Sequence, residues 1–123
     1  MEKITSFTQL RTWQNARTFA VSIYRITERL PVSERFGLTS QMRRSSVSIA
    51  ANIAEGFSRG SASDKARFYM IALGSLTETL SHTYIASDLG FVRQTEVQYI
   101  EQEVTELHKM LNGLIKSARG KVA

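Results

Sequence analysis

Apolar residues recur every three or four positions along most of the chain, which is the spacing of one face of an α-helix. Three segments interrupt this rhythm: residues 30–33, residues 56–63 and the pair Leu89-Gly90. Pro31 ends the first run because it lacks a backbone N–H and disfavours helical backbone before it. The most regular run is the last one, whose apolar positions are Val97, Ile100, Val104, Leu107, Leu111, Leu114 and Ala118. The pattern predicts four helices at about residues 8–30, 38–57, 64–89 and 95–118.

Residues that favour helix ends lie close to these breaks. Ser63 is a predicted cap of the third helix, and Gly90 suits the left-handed residue that closes it. Thr95 and Gln98 have the spacing of a capping box at the start of the fourth helix. No alternating run is long enough to predict a strand. Because short connections make consecutive helices antiparallel neighbours, we predict an all-α, up-down-up-down four-helix bundle formed by one domain, residues 1–123.

The outward faces of the predicted helices differ in polarity. The fourth helix has a polar outer face, whereas the second and third carry apolar residues opposite their core stripes. A monomer would leave these second stripes in water, so we predict a homo-oligomer, in which the small residues between 45 and 54 let a helix of another subunit approach closely. The alternative is that alanine and serine are simply well tolerated on a helix surface. The residues predicted to lie at the subunit interface are Phe19, Ile26, Val47, Ala51, Ala54, Ile71 and Ile85.

Composition excludes several classes of function. The 123 residues contain no cysteine, which rules out disulfide frameworks, zinc knuckles and iron–sulfur clusters. The two histidines, His82 and His108, follow threonines at the spacing where a di-metal bundle would have glutamates. No nucleophile–base pair or phosphate-binding loop stands out, so we predict no catalytic residues, no metal, no cofactor and no enzymatic activity. The absence of a leader pattern and of a long apolar run predicts a cytoplasmic protein that does not enter a membrane.

The basic residues are unevenly placed along the sequence. The chain carries 16 Lys and Arg against 11 Asp and Glu, and residues 1–60 supply the whole net charge of +5. Since arginine forks match phosphate groups, a nucleic-acid contact is predicted at Arg11, Arg25 and Arg29 of the first helix and at Arg59 in the loop after the second. The alternative is that these charges are only solvated. Arg44 and Glu55 share one side of the second helix, and we predict a structural role for them, as ion pairs across a subunit boundary.

A set of short motifs resembles a bacterial four-helix-bundle family that is encoded in intervening sequences of large-subunit ribosomal RNA genes. Gln41-x-Arg43-Arg44 and Asn52-Ile53-Ala54-Glu55-Gly56 are the most specific of them. The remaining matches are Phe7, Leu10, Trp13-Gln14-x-Ala16, Tyr24, Pro31, Glu34-x-Phe36-Gly37-Leu38, Ser48-Ile49, Arg59, Gly74-Ser75 and Leu89-Gly90. Ala50 departs from the family, which usually has proline there, so a kink in the second helix is expected to be weaker.

The chain is also similar to the accessory variability protein of diversity-generating retroelements, a pentameric barrel that binds nucleic acid and a reverse transcriptase. The resemblance implies a homopentameric ring and no catalysis. Two functional hypotheses follow. The first is a self-assembling accessory protein whose basic surface binds RNA or DNA without sequence preference. The second is a scaffold that binds a protein partner, such as a reverse transcriptase, and has no role on nucleic acid.

Overall fold

The computed structural model describes residues 3–120, which form four long helices. They are α1 (Arg11–Thr27), α2 (Leu38–Ser58), α3 (Ala62–Asp88) and α4 (Gln94–Gly120). Short 3-10 helices lie at Phe7–Gln9 and Val32–Glu34, and no strand occurs within the described range. Each helix packs on the next, and α4 returns to α1. The predicted all-helical four-helix bundle is therefore confirmed.

The helix ends show where local hydrogen bonds override the periodic pattern. Before α1, the Ser6 hydroxyl accepts from the N–H of Thr8, and the Gln9 side chain accepts from the N–H of Ser6, so residues 7–9 form a separate 3-10 turn. Ser61, and not Ser63, caps α3 by accepting from the N–H of Asp64 at 3.1 Å. The predicted left-handed residue, Gly90, has a φ of 81°.

The start of α4 also differs from its predicted form. The helix begins at Gln94, one residue before the expected cap, Thr95. The carboxylate of Glu96 accepts from the N–H of Arg93 at 3.0 Å, and so satisfies a backbone donor that precedes the first turn. Thr95 therefore lies inside the helix, because Glu96 supplies the side chain that closes its N-terminus.

The core corrects the predicted face of α1. Phe19 is fully buried and Ile26 is 8% exposed, so both pack inside their own chain and leave little or no surface for a subunit interface. Together with Ala16 and Ile23 they step by three, four and three residues, which places the larger apolar side chains on one stripe. The other large side chains that are fully buried are Met42, Ile49, Ile53, Leu76, Ile100, Leu107 and Leu111.

Small polar residues hold α2 and α3 close together. The Thr79 hydroxyl donates to Ser45 Oγ at 2.8 Å, and the hydroxyls of Ser48 and Ser75 are 2.9 Å apart. These pairs are satisfied within one chain, as buried polar groups must be. The helix that approaches this part of α2 is thus α3 of the same chain, which corrects the expectation that Ser45 and Ser48 receive a helix from another subunit.

Candidate assembly and nucleic-acid surfaces

An apolar groove lies between α1 and α2 on the outside of the bundle, with a volume of about 560 Å³. Val21, Tyr24 and Val47 leave between 42% and 45% of their surface exposed there. The α1–α2 groove is lined by Trp13, Arg17, Ala20, Val21, Tyr24, Arg25, Glu28, Val47 and Ala50. Val47 was predicted to lie at a subunit interface, and the structure leaves it accessible to a partner.

Arginines surround the α1–α2 groove. Arg17 lies over the Trp13 ring, 4.8 Å from its centroid, and Arg43 lies over Tyr24 at 4.5 Å. Arg17 and Arg25 form no ion pair with the described residues of the chain. Their positive charges are thus available to an acidic surface of another molecule.

A second set of exposed apolar residues follows the outside of α3. Met70, Ile71, Ile85 and Leu89 are 42–55% exposed. Ile71 and Ile85 were both predicted for the interface, but 14 residues of helix place them about 21 Å apart. Ile71 therefore lies near the start of α3 and Ile85 near its end. On α2, the predicted interface residues Ala51 and Ala54 are exposed and half-buried, and neither lines the α1–α2 groove.

The two sides of the bundle carry opposite charge next to these apolar residues. Residues 20–47 contain five arginines and two glutamates, whereas residues 76–106 contain Arg93 and six acidic residues. Two ion pairs, Arg29–Glu96 and Arg44–Glu78, join the segments within the chain. Without the residues of these two ion pairs, residues 20–47 keep three arginines and two glutamates, and residues 76–106 keep four acids and one arginine. On the second side, the acids that form no ion pair with any residue between 3 and 120 are Asp88, Glu101, Glu103 and Glu106.

Tyr84 lies beside the acidic residues, and one of them changes the pKa of its hydroxyl. Its hydroxyl donates to the Glu101 carboxylate at 2.7 Å. Because the phenol must keep its proton to donate, this hydrogen bond raises the pKa of Tyr84.

The antiparallel topology also separates charge along the bundle axis. Residues 3–19, 48–75 and 107–120 lie toward one end, which we call the basal half, and the rest of the described chain forms the apical half. The basal half has nine basic and two acidic residues, and the apical half six basic and eight acidic residues. Their net charges are +7 and −2. The basic residues of the basal half are Lys3, Arg11, Arg17, Arg59, Lys65, Arg67, Lys109, Lys116 and Arg119.

The four arginines predicted to contact nucleic acid are divided between these halves. Arg11 is exposed in the basal half, and Arg59 lies there too, 2.6 Å from the Glu55 carboxylate. Arg25 and Arg29 lie in the apical half, where Arg29 is neutralised by Glu96. The first helix therefore does not present its arginines as one cluster. Sequence reasoning missed Arg67, Lys116 and Arg119, which only the antiparallel arrangement brings to the same end as Arg11.

Arg44 and Glu55 have structural partners inside the chain. Arg44 binds Glu78 on α3, and Glu55 binds Arg59 one helical turn later. This corrects the expectation that they pair across a subunit boundary. His82 lies 3.1 Å from the Glu78 carboxylate, and its hydrogen bond, together with the charge of Arg44, lowers the pKa of Glu78.

The described part of the chain holds no group of three or more metal-ligating side chains. Each histidine has a neighbour on its own helix: His108 is hydrogen-bonded to Asn112 at 3.1 Å, and His82 to Glu78. Between residues 3 and 120, no helix is long and apolar enough to cross a membrane.

Comparison with known proteins gives the relationships of the chain. No curated protein is significantly similar to it. A solved protein of unknown function from the S23 ribosomal protein family of Bacteroides thetaiotaomicron is 29% identical, with a TM-score of 0.78 over 85% of this chain and 98% of that one. Residues 8–113 match the family described as 23S rRNA-intervening sequence protein. Because this match spans most of the sequence, the chain belongs to the 23S rRNA-intervening sequence protein family.

Proposed function

We propose that this protein is a non-enzymatic, cytoplasmic accessory protein that assembles head-to-tail into a closed ring and binds nucleic acid through its basal half. The observation that supports the assembly is that two different apolar surfaces are exposed, one beside arginines and one beside acids. The α1–α2 groove is apolar and bordered by arginines, and the apical part of α3 is apolar and bordered by acids. Unlike surfaces that fit each other form heterologous contacts, which give a closed ring when the rotation between neighbouring subunits closes.

The charge separation supports the nucleic-acid part of the proposal. A ring of parallel subunits gathers all basal halves at one end. Five subunits, the number that the family resemblance implies, would place a charge of about +35 there, enough to attract a polyanion without reading its sequence. The apical halves, which are slightly acidic, face away from the bound strand.

A second candidate function is the scaffold that binds a protein partner. Val32 and Phe36 lie in the α1–α2 connection and are 86% and 88% exposed, more than any other large apolar residue that the structure describes. Arg35 covers one face of the Phe36 ring, 5.5 Å from its centroid. Apolar side chains this exposed favour a protein contact at the apical end.

Nucleic-acid binding is tested by matched charge reversals in the two halves. We expect Arg11→Glu with Lys116→Glu, in the basal half, to weaken binding of a labelled oligonucleotide about tenfold or more at 50 mM salt. Arg35→Glu with Arg93→Glu changes the net charge equally in the apical half, and we expect a much smaller loss. Fluorescence anisotropy at several salt concentrations measures both, with light scattering to check that the mass is unchanged. If the wild-type protein binds neither RNA nor DNA at 50 mM salt, the scaffold function replaces this one.

A further inference from the structure

A shallow groove of about 500 Å³ lies in the basal half, where the outside of α3 meets the end of α4. We infer that this basal groove binds single-stranded nucleic acid, with a base against its apolar floor and the flanking phosphates on Arg67 and Arg119. This inference rests on the proposed function, and it specifies the binding site and the kind of nucleic acid bound. The lining residues are Ala62, Ser63, Ala66, Arg67, Met70, Ile71 and Arg119.

The two arginines of the basal groove are weakly neutralised. Arg67 lies 3.6 Å from Asp64 in a pair whose side chains are both about half exposed, which contributes little. Arg119 donates to the sulfur of Met70 at 3.2 Å, and a thioether is a weak acceptor. Both guanidinium groups thus keep most of their capacity to bind phosphate oxygens.

Aromatic stacking holds two arginines at this end, of which Arg59 also pairs with Glu55. Arg67 and Arg59 lie over the Phe68 ring, 4.4 and 4.7 Å from its centroid. Stacking on a ring restricts a long side chain while leaving its N–H groups free to donate. This arrangement orients positive charge beside the basal groove before a ligand arrives.

The floor of the basal groove favours a single strand over a duplex. Met70 and Ile71 are 49% and 42% exposed and supply most of the accessible apolar floor, since Ala66 is only 5% exposed. A duplex hides its base faces and exposes only base edges, sugars and phosphates, whereas a single strand can place a base face on an apolar surface. This assigns to Ile71 a role on nucleic acid, in place of the subunit contact predicted from its spacing with Ile85.

The charge around the basal groove selects the ligand. A groove of similar size on the apical part of α4 is lined by Glu101 and Glu106 and has no cation in its lining. A polyanion is repelled there and attracted to the basal half, where the net charge is +7. Of these two grooves, only the basal groove combines positive charge with an apolar floor.

The test compares a labelled 20-nucleotide single strand with the same sequence as a duplex, at 50 mM salt, by fluorescence anisotropy. We expect the wild-type protein to bind the single strand about tenfold more tightly. Arg67→Glu with Arg119→Glu should weaken single-strand binding about tenfold or more, beyond the effect of the apical control Arg35→Glu with Arg93→Glu. Ile71→Ser, which keeps every charge, should weaken the single strand several-fold and leave the duplex unchanged.

The outcomes separate the inference from the proposed function. A wild-type protein that binds no nucleic acid removes the proposed function itself. A wild-type protein that binds, with the basal-groove variants equal to the apical control, overturns this inference and leaves the proposed function in place. Equal wild-type affinity for single strand and duplex also overturns it. Circular dichroism and light scattering verify fold and mass, and Ile71→Ser serves as the readout if the double arginine variant does not fold.

Discussion

Val47→Glu and Ile85→Lys are each expected to reduce the assembly to monomers of 13.9 kDa. Val47 lies in the α1–α2 groove, where a glutamate would face the acidic side of the next subunit. Ile85 lies on that acidic side, where a lysine would face Arg17 and Arg25. Each substitution places a charged side chain in an apolar contact and opposite like charges of the next subunit, which costs several kcal/mol. Light scattering at micromolar concentration measures the mass.

Mixing the two variants tests the head-to-tail geometry. The Val47→Glu chain keeps an intact α3 surface, and the Ile85→Lys chain keeps an intact groove, so one wild-type contact can form between them. We expect the equimolar mixture to give species of at least twice the mass of one chain, although neither variant alone does. A mixture that stays monomeric contradicts the pairing of these two surfaces.

Val32→Glu provides the control for the loss of an exposed valine. Val32 is more exposed than Val47 but lies in the α1–α2 connection, outside both assembly surfaces. We expect this variant to retain the wild-type mass, which must exceed that of a dimer for a ring to exist. A monomeric wild-type protein would remove the assembly proposal.

The sequence predicted the helices well because their signal is local and repeated. Residues three and four apart share a face, so one stripe per helix is sufficient to detect it. On α1 the spacing did not show which face of the helix enters the core, because two apolar stripes overlap there. Trp13, Ala16, Ala20 and Ile23 have the correct spacing, but the stripe through Phe19 and Ile26 contains larger apolar side chains and fills the core.

The charge distribution was harder to predict because it depends on how the helices are arranged. Arg29 and Glu96 are 67 residues apart, and Arg44 and Glu78 are 34 apart, yet each pair forms an ion pair. Periodicity within one helix carries no information about such partners. A count along the sequence concentrated the positive charge in residues 1–60, whereas the antiparallel fold brings Arg119 and Arg11 to the same end. Net charge by sequence segment therefore does not show which end of the bundle carries the excess of positive charge.

Glycine offers a contrast between two helical positions that the sequence alone treats alike. The second helix was predicted to end at residue 57 and continues to Ser58, and Gly56 in its last turn is buried against α3. A methyl group on it would lie 2.7 Å from Cε1 of Tyr69 and 3.1 Å from Cβ of Phe68. Gly74, in the middle of α3, has open space at the same position.

Gly56→Ala is expected to destabilise the bundle by about 1–2 kcal/mol, because overpacking against the 4%-exposed Tyr69 outweighs the helix propensity that alanine adds. Gly74→Ala adds the same propensity without a clash and should stabilise by about 0.5–1 kcal/mol. Both are best compared in the Val47→Glu background, so that urea unfolding reports the bundle and not its assembly. Stabilisation by both substitutions would contradict the close approach of α2 to Tyr69. If Gly56→Ala destabilises and Gly74→Ala does not, the close contact between α2 and α3 lies at Gly56. Of these two positions, only Gly56 brings an added methyl group against a neighbouring helix.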